Sequence, residues 1–359
     1  MLSEQLVNAG INTTVFTTTA NGNDELPVPA NELTNVDGVP VIYFRRVTKD
    51  HSHFSPLLLK ALWKSAPEFD LVHIHAWWNL VSVFSCWIAL MRNVPVLLSP
   101  RGTLSPYSFA NRNIGVKWLI HTLLGKHLLR RCHIHTTSAR ETTAIAKLIH
   151  PKSITAIPNF VKLPSGVTPA LNEPHAGLKL LFFSRIEGKK GVDLLLNSLA
   201  KVSVPYHLTI AGSGDDAYIA NLKKLVITNN IYEKVSWAGF HNENKFELIR
   251  AHDLFILPSY DENFGNAVIE SLSVGTAVLI SEEVGLGDYV EKNRLGWICK
   301  TTADSVASAV NAIGNDHKEL DRIREEAPGI IYNDFNNATL VKKYADMYNN
   351  LIQQDDHIQ

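Results

Sequence analysis

The stretch that most constrains the fold runs from Asp253 to Ser281, DLFILPSYDENFGNAVIESLSVGTAVLIS. Residues 254–257 form a short apolar run closed by a proline, and residues 277–280 form a second apolar run. Such runs are typical of strands buried in a parallel sheet. Between them, Gly265 stands where a helix would begin and Gly275 where it would end. The stretch therefore predicts a strand, a loop, a helix and a second strand within an α/β fold.

Two carboxylates, Glu262 and Glu270, flank the predicted start of that helix. In open α/β sheets, ligands bind at the carboxyl ends of the strands, and a helix N-terminus there favours an anion. Carboxylates would repel a phosphate, but they accept hydrogen bonds from sugar hydroxyls. The combination predicts a ligand that carries both phosphate and several hydroxyl groups. A capping loop with two solvated acids is the alternative interpretation.

A second loop supplies positive charge. The apolar run 178–183 predicts a strand, and the sequence SRIEGKKGVD follows it, with Arg185 and Lys190 in the loop. Fixed cations at this position could stabilise the negative charge of a departing diphosphate. A solvated basic loop is the alternative. The next predicted strand ends in Gly212-Ser213-Gly214, a turn that we expect to be mainly structural, because no full G-x-G-x-x-G is present.

Together these motifs resemble glycosyltransferase family 4. The two glutamates, with seven residues between them, are similar to the E-x7-E signature of retaining glycosyltransferases with two Rossmann-like domains. The segment from Ser184 to Asp193 is similar to the family's G-R…K-G-x-D element, with serine in place of the glycine. The resemblance covers nearly the whole chain, but its specific motifs are concentrated in the second half.

The resemblance implies roles for individual residues. Glu270 would hold the ribose of a nucleotide sugar, and Glu262 would touch the transferred sugar. Arg185 and Lys190 would hold the diphosphate. Further donor contacts are expected at Phe264, Gly265 and Asn266, and through the backbone at Gly239, where the predicted strand 235–240 ends.

The chain has 359 residues, too many for one ordinary core, and the family has the GT-B fold of two Rossmann-like α/β domains facing a cleft. We therefore predict an acceptor-side domain, a linker, a nucleotide-sugar-binding domain and a final helix that crosses back to the first domain. Their predicted bounds are residues 1–163, 164–177, 178–335 and 336–359.

The start of the chain departs from a doubly wound domain. Residues 2–9 predict a helix that ends at Gly10, and residues 12–17 predict a strand. The family has a strand and a glycine-rich loop before this helix. We therefore expect that the first domain lacks its first strand and that the chain is truncated.

Two positions in the first half are acceptor-side candidates. His73 and His75 alternate with apolar residues of a predicted strand, so their side chains point to the same side. His75 either belongs to a set of satisfied core histidines or reaches the cleft. Arg101 stands after the predicted strand 94–100, where the family often has histidine near the reacting sugar. Arginine cannot accept a proton, so it either binds an acidic acceptor or phosphate, or forms a structural salt bridge.

Residues 111–132 combine leucines with lysines, arginines and histidines. Such a segment either lies on an anionic membrane surface or forms a core-facing helix with a solvated basic side. The apolar stretch 80–91 is too short to span a membrane and predicts a buried helix. Three scattered cysteines favour a reduced cytoplasmic compartment. A formal net charge of −1 gives no reason to expect nucleic acid binding.

We predict a retaining glycosyltransferase that moves a hexose from a UDP- or GDP-linked donor to a glycan or lipid-linked oligosaccharide in surface polysaccharide biosynthesis. We expect no metal cofactor, because no Asp-x-Asp motif is present and the basic pair supplies positive charge. The expected location is the cytoplasm, with peripheral contact at the inner face of the membrane. A sugar-nucleotide epimerase and a non-catalytic nucleotide-sugar-binding protein are the alternatives. The residues expected at the catalytic centre are Glu262, Arg185, Lys190 and Arg101.

Overall fold

The chain divides into two compact units, each with its own apolar core. Unit 1 comprises Met1–Phe160 and Asn337–Gln359, and unit 2 comprises Val161–Asn336. The α/β class with parallel sheets that the sequence predicts is confirmed. The computed structural model describes residues 1–22, 24–48, 50, 52–105, 124–164, 177–241 and 243–356.

Unit 1 contains two sheets among its described residues, besides a short pairing of β2 with β3. One has the order β1-β5-β4, and the other is parallel with the order β6-β7-β8-β9. Strands β1 and β6 are therefore edge strands of separate sheets. The strands are β1 (Val15–Thr18), β2 (Ala20–Asn21), β3 (Asp24–Glu25), β4 (Leu33–Val36), β5 (Val39–Phe44), β6 (Val72–His75), β7 (Val96–Ser99), β8 (His133–Thr136) and β9 (Ser153–Ala156).

The helices of unit 1 start where the sequence supplies caps. Ser55 and Ser138 accept from backbone N–H groups three residues on, and Asn79 does the same for Ser82. The 80–91 segment is a largely buried helix, as predicted. The described helices are α1 (Leu2–Asn8), α2 (Pro56–Ser65), α3 (Leu80–Met91), α4 (Lys126–Arg130), α5 (Ala139–Leu148) and, at the end of the chain, α13 (Asn337–Asp356).

Strand β4, which sequence analysis did not predict, pairs antiparallel with β5. The turn between them is Asp37-Gly38, whose φ angles are 51° and 84°. Asp-Gly with both φ angles positive is a strong signal for a two-residue hairpin. The strand has no apolar run that would predict it, because three of its four residues are exposed and only Leu33 and Val36 are apolar.

Unit 2 has one six-stranded parallel sheet with the order β12-β11-β10-β13-β14-β15. Chain order reverses beside β10, which is the kind of position where doubly wound sheets bind ligands. Its strands are β10 (Leu178–Phe183), β11 (Tyr206–Ala211), β12 (Val235–Gly239), β13 (Leu254–Leu257), β14 (Ala277–Ser281) and β15 (Gly296–Cys299).

Helices surround this sheet, and three of them were not anticipated: α7, α10 and α12. Helix α12 carries Pro328 in its interior, a residue that normally marks a helix boundary. The helices are α6 (Val192–Leu199), α7 (Asp216–Thr228), α8 (Lys245–Arg250), α9 (Asn266–Ser273), α10 (Gly287–Lys292), α11 (Ala303–Gly314) and α12 (His317–Phe335).

Some sequence-based expectations lie outside the described residues: most of the basic segment, 111–123, and most of the proposed linker, 165–176. In the described remainder of the basic segment, Leu128 and Leu129 are buried while Lys126 and Arg130 are exposed. This burial pattern fits the core-facing interpretation for α4. No helix among the described residues is long and apolar enough to cross a membrane.

Candidate functional site

The predicted donor residues of unit 2 follow two neighbouring strands, β10 and β13, at the carboxyl edge of the sheet. The loop after β10 carries Lys190 in a short 3₁₀ turn, Gly188–Lys190. Gly191 ends this turn with φ of 71°, and a Cβ there would lie 2.2 Å from the carbonyl oxygen of Pro258. A side chain at Gly191 would therefore separate the two loops. Their contact also includes the Tyr260 N–H, which donates to Lys189 O at 2.8 Å.

Lys190 and Glu262 form an ion pair across these two loops. Their side chains are only 9% and 17% exposed, so the pair is largely withdrawn from solvent. The backbone of Glu262 is also fixed: its N–H donates to Glu283 O at 3.1 Å, and its carbonyl accepts from Gly285 N at 2.8 Å. A carboxylate fixed at both backbone and side chain is a preorganised acceptor for hydroxyl groups.

Glu270 lies on α9, whose N-cap is Gly265 in the left-handed conformation with φ of 92°. Lys245, the first residue of α8, donates from Nζ to Glu270 Oε1 at 2.7 Å. The two side chains are 18% and 13% exposed. Each member of the E-x7-E pair is thus held by its own lysine. Sequence reasoning missed Lys245, because no motif surrounds it and only the packing of α8 beside α9 reveals its role.

Arg185 lies apart from these pairs, beside a surface pocket of about 540 Å³. Its side chain is 71% exposed and its NH2 atom lies 3.3 Å from Glu187 Oε1, so its charge remains accessible to a ligand. Burial and the nearby Asp193 raise the pKa of Tyr218, another lining residue, to about 12. The lining residues are Arg185, Ile186, Glu187, Gly188, Ser213, Gly214, Asp215 and Tyr218.

The Gly212-Ser213-Gly214 turn needs its two glycines because the backbone of the loop after β10 lies close to them. A Cβ at Gly212 would lie 1.9 Å from Ser184 O, and one at Gly214 would lie 2.0 Å from Ile186 O. The turn therefore lets the loops after β10 and β11 lie against each other. This geometry supports the structural role expected for it, and it also forms one wall of the pocket.

Three predicted donor contacts have different surroundings. Phe264 is 2% exposed and packs against Phe335 at 6.3 Å between ring centroids, so its side chain belongs to the core. The expectation that this side chain contacts the donor is therefore corrected. Asn266 is exposed at the first turn of α9. Gly239 has φ of 74° and open space around it, but its carbonyl already accepts from Gly212 N at 2.7 Å.

The acceptor-side candidates lie in unit 1, where β6 and β7 end. The His73 and His75 rings have centroids 4.3 Å apart, so the prediction that they share a side is confirmed. Arg101 donates from Nε to His75 Nδ1 at 3.1 Å and from NH1 to Asn159 Oδ1 at 2.5 Å. Within the described part of the chain, no carboxylate forms an ion pair with Arg101, so the salt-bridge alternative finds no support.

A buried polar network lies beneath Arg101, and its hydrogen-bond directions follow from one carbonyl. His135 Nε2 must donate to Ile157 O, so His135 Nδ1 accepts from the Ser99 hydroxyl at 2.7 Å. Ser99 Oγ then accepts from His73 Nε2, also at 2.7 Å, and His73 Nδ1 accepts from the Tyr348 hydroxyl at 2.8 Å. Every member is neutral. Sequence analysis did not foresee Ser99, His135 or Tyr348 as partners.

The chain is similar to known proteins in both sequence and fold. Residues 1–163 match the family model described as Glycosyltransferase Family 4, and residues 168–329 match the one described as Glycosyl transferases group 1. The chain belongs to the glycosyltransferases. A GDP-mannose:cellobiosyl-diphosphopolyprenol alpha-mannosyltransferase of Xanthomonas campestris is 25% identical over 254 residues, covering 66% of this chain and 63% of that protein. An uncharacterized glycosyltransferase of Methanocaldococcus jannaschii is 27% identical over 173 residues, covering 47% and 44%.

The chain spans about half the length of the first curated relatives that it matches. Among solved structures, sucrose-phosphate synthase from Thermosynechococcus elongatus has a TM-score of 0.76 at 18% identity and covers 98% of this chain and 92% of its own. Anabaena HepE in complex with UDP-glucose has a TM-score of 0.70 at 18% identity, covering 94% and 100%. At these identities the likeness shows the fold, which is the predicted GT-B class.

Proposed function

We propose that this glycosyltransferase is a retaining hexosyltransferase that uses a UDP- or GDP-linked sugar and a hydroxyl of a glycan or lipid-linked oligosaccharide. The observation that carries the proposal is the arrangement of Glu262 and Glu270, each held by a lysine at the carboxyl edge of the unit 2 sheet. Such an edge is the usual ligand site of a doubly wound sheet.

The chemistry divides among the residues of this edge. In the reaction, the bond from the anomeric carbon to the diphosphate breaks and a bond to the acceptor oxygen forms, while the acceptor proton leaves toward the diphosphate. Lys190 and Arg185 offset the charge that develops on the departing diphosphate. Glu262 accepts from sugar hydroxyls, and Glu270 uses its second oxygen to accept from the ribose.

The choice of donor and acceptor rests on relatives. One relative is named for GDP-mannose and for a lipid diphosphate acceptor, and one structural neighbour was solved with UDP-glucose. These names support a nucleotide-sugar donor of either base and, by extension, a role in surface polysaccharide biosynthesis. Calorimetry with UDP and GDP, followed by transfer assays with their hexose conjugates, would choose between the two bases.

The test of the donor site uses Arg185→Ala, Lys190→Ala and Glu270→Ala. Each removes a charge-assisted contact worth roughly 1.5–3 kcal/mol, so nucleoside diphosphate should bind roughly 10- to 100-fold more weakly. Circular dichroism would check that the variants fold. Wild-type affinity in all three would remove the assignment. If the protein released nucleotide in the absence of any acceptor, it would be neither a transferase that needs an acceptor nor a simple binding protein, and another reaction would be indicated.

The proposal includes metal-independent transfer, because the cations of Lys190 and Arg185 can take the place of a divalent ion beside the diphosphate. Activity should then persist in excess EDTA. Loss of activity that magnesium or manganese restores would contradict this part of the proposal.

Peripheral membrane contact is also part of the proposal, through the exposed basic residues Lys126, Arg130 and Arg131 around α4. Each basic residue near an anionic surface contributes about 1 kcal/mol, which salt screens. Co-sedimentation with anionic vesicles should fall when all three are replaced by glutamine. Absence of binding at low salt in the unmodified protein would leave α4 with a purely structural role.

A further inference from the structure

Arg101 is a cation in a neutral environment. Its side chain is exposed, and both residues that accept from it, His75 and Asn159, are uncharged. Burial lowers the pKa values of His73 and His135, and the Arg101 charge lowers them further. His75 is exposed by its surface area, but the protein groups that crowd its ring and the Arg101 charge likewise lower its pKa. The histidines beside Arg101 therefore stay neutral near pH 7 and neither repel nor compensate its charge.

The carboxylate that holds the residue after Arg101 is engaged with the backbone. Glu141 Oε1 accepts from Gly102 N at 2.8 Å, and Oε2 accepts from Thr137 N at 2.8 Å. These bonds fix the loop that carries Arg101. Across the described ranges, Arg101 has no acidic partner within ion-pair distance. Among the described residues, the guanidinium therefore lacks a counter-charge.

Hydrogen-bond donors are in excess at the same place. A guanidinium carries five N–H donors, and His75 and Asn159 accept from two of them. His75 accepts at Nδ1, so its proton is on Nε2 and forms a further donor. Among the described residues, guanidinium N–H groups of Arg101 therefore remain to meet an acceptor, whereas the His75 Nε2–H points away from the guanidinium. Guanidinium N–H groups are the donors that bind phosphate and carboxylate oxygens in pairs.

The backbone at this place is strained. Arg101 has φ of 51° and Ala76, directly after His75, has φ of 64°. A side chain in the left-handed region costs roughly 1–2 kcal/mol, and glycine would avoid that cost at either position. Strain of this kind persists where the local geometry serves a site. At Arg101 the strain fixes the direction in which the guanidinium leaves the end of β7.

We propose that Arg101, held in place by His75 and Asn159, forms an oxyanion-binding site in unit 1, whose ligand is a phosphate or carboxylate group. Where that group is identified as part of the acceptor, the inference rests on the proposed function. The site then selects acceptors that carry a negative group. The shared chemistry is an oxyanion with two or more acceptor oxygens, supplied either by a lipid-linked diphosphate or by an acidic sugar.

The test reads the imidazole of His75 directly. Protein labelled with ¹³Cε1-histidine, in an Arg185→Gln background that weakens the donor site, is titrated with inorganic pyrophosphate, a short isoprenyl diphosphate, glucuronate and glucose. The His75 resonance is identified by its loss in His75→Gln. We expect saturable shifts with the anionic probes and none with glucose. Tighter binding of the isoprenyl diphosphate than of pyrophosphate identifies a lipid-linked source, and tighter binding of glucuronate identifies an acidic sugar.

Variants of Arg101 make the test decisive. Arg101→Gln should weaken the anionic probes by at least roughly ten-fold, and Arg101→Lys should restore part of the affinity. Arg92→Gln, which removes another exposed arginine of unit 1, should leave the affinity unchanged. Equal affinity in Arg101→Gln, or no saturable shift with any anionic probe, would overturn the proposal. The titration needs no sugar transfer, so its outcome is independent of whether the donor assignment holds.

Discussion

At the scale of single residues, the donor site depends on lysines that neutralise glutamates. Lys190 belongs to a motif that the sequence displays, whereas Lys245 reaches Glu270 only because α8 packs beside α9. A carboxylate that is mostly buried needs a partner, because an uncompensated charge there is costly. Lys245 therefore fixes Glu270 in one orientation and leaves one oxygen for a hydroxyl.

The first prediction concerns Lys245. Lys245→Met should leave the diphosphate contacts intact but release Glu270 from its orientation. The ratio of the affinity for a nucleoside diphosphate to the affinity for its 2′-deoxy compound should be roughly ten-fold smaller in the variant than in the unmodified protein. Calorimetry with both ligands measures this ratio, and Lys245→Arg should restore most of it. A purely structural lysine would lower both affinities equally, so an unchanged ratio would disprove the positioning role.

The second prediction concerns Gly191. Alanine there combines a φ of 71° with a Cβ only 2.2 Å from Pro258 O, so the loops of Lys190 and Glu262 must separate. Gly38→Ala is the matched control, because Gly38 has φ of 84° but no atom within 4 Å. The control should lose about 1 kcal/mol of stability from φ alone. Gly191→Ala should lose clearly more and should bind nucleoside diphosphate poorly. Equal losses in chemical denaturation would show that the loops tolerate separation.

At the scale of elements, regular strands were predictable because parallel strands buried on both faces are continuous apolar runs, as in 254–257 and 277–281. The failures have particular causes. Pro328 lies inside α12, where local rules predict a boundary. Strand β4 is mostly exposed and therefore lacks the apolar run of a buried strand. Phe264 stood within a ligand-binding motif, yet burial assigns its side chain to the core. In each case tertiary context overrode the local pattern.

The third prediction concerns α13, a helix of unit 1 whose Tyr348 hydroxyl donates to His73 Nδ1. Tyr348→Phe leaves His73 Nδ1 without its donor in a shielded place and should cost about 1–3 kcal/mol of unit 1 stability. Asn349→Ala, an exposed position on the same helix, should change stability by less than about 0.5 kcal/mol. Urea denaturation of both variants provides the comparison. Similar stabilities would mean that the hydroxyl contributes nothing to docking of the helix.

At the scale of the whole molecule, the two units differ in where their polar groups are buried. Unit 2 has one continuous apolar core, whereas unit 1 places the network of His73, Ser99 and His135 between strands and α13. The neutral network is stable only while its histidines are unprotonated. The units should therefore respond differently to acid.

The last prediction is the acid response of unit 1. His135 is fully buried, and burial together with Arg101 lowers its pKa to about 4, against an ordinary value of 6.5. Below pH 6.5 the unfolded chain binds a proton at His135, whereas folded unit 1 does not bind it until the pH approaches 4. The contribution of His135 to the stability of unit 1 is therefore complete above pH 6.5 and declines as the pH falls toward 4. The loss amounts to about 3 kcal/mol for this group, or about 1.4 kcal/mol per pH unit. His73 adds to it in the same direction, because its pKa is also lowered.

Tryptophan fluorescence can follow unit 1 alone, because Trp237→Phe with Trp297→Phe leaves every remaining tryptophan in that unit. Thermal unfolding of this double variant between pH 7 and pH 4.5 should show a midpoint that falls steeply through the window. The unfolding midpoint of unit 2, followed by a probe of its own in the unmodified chain, should fall less over the same range. In unit 2 it is His252 whose pKa is lowered by burial, whereas unit 1 has several such histidines. A unit 1 midpoint that is constant over this range would mean that the buried histidines are not neutral in the folded state.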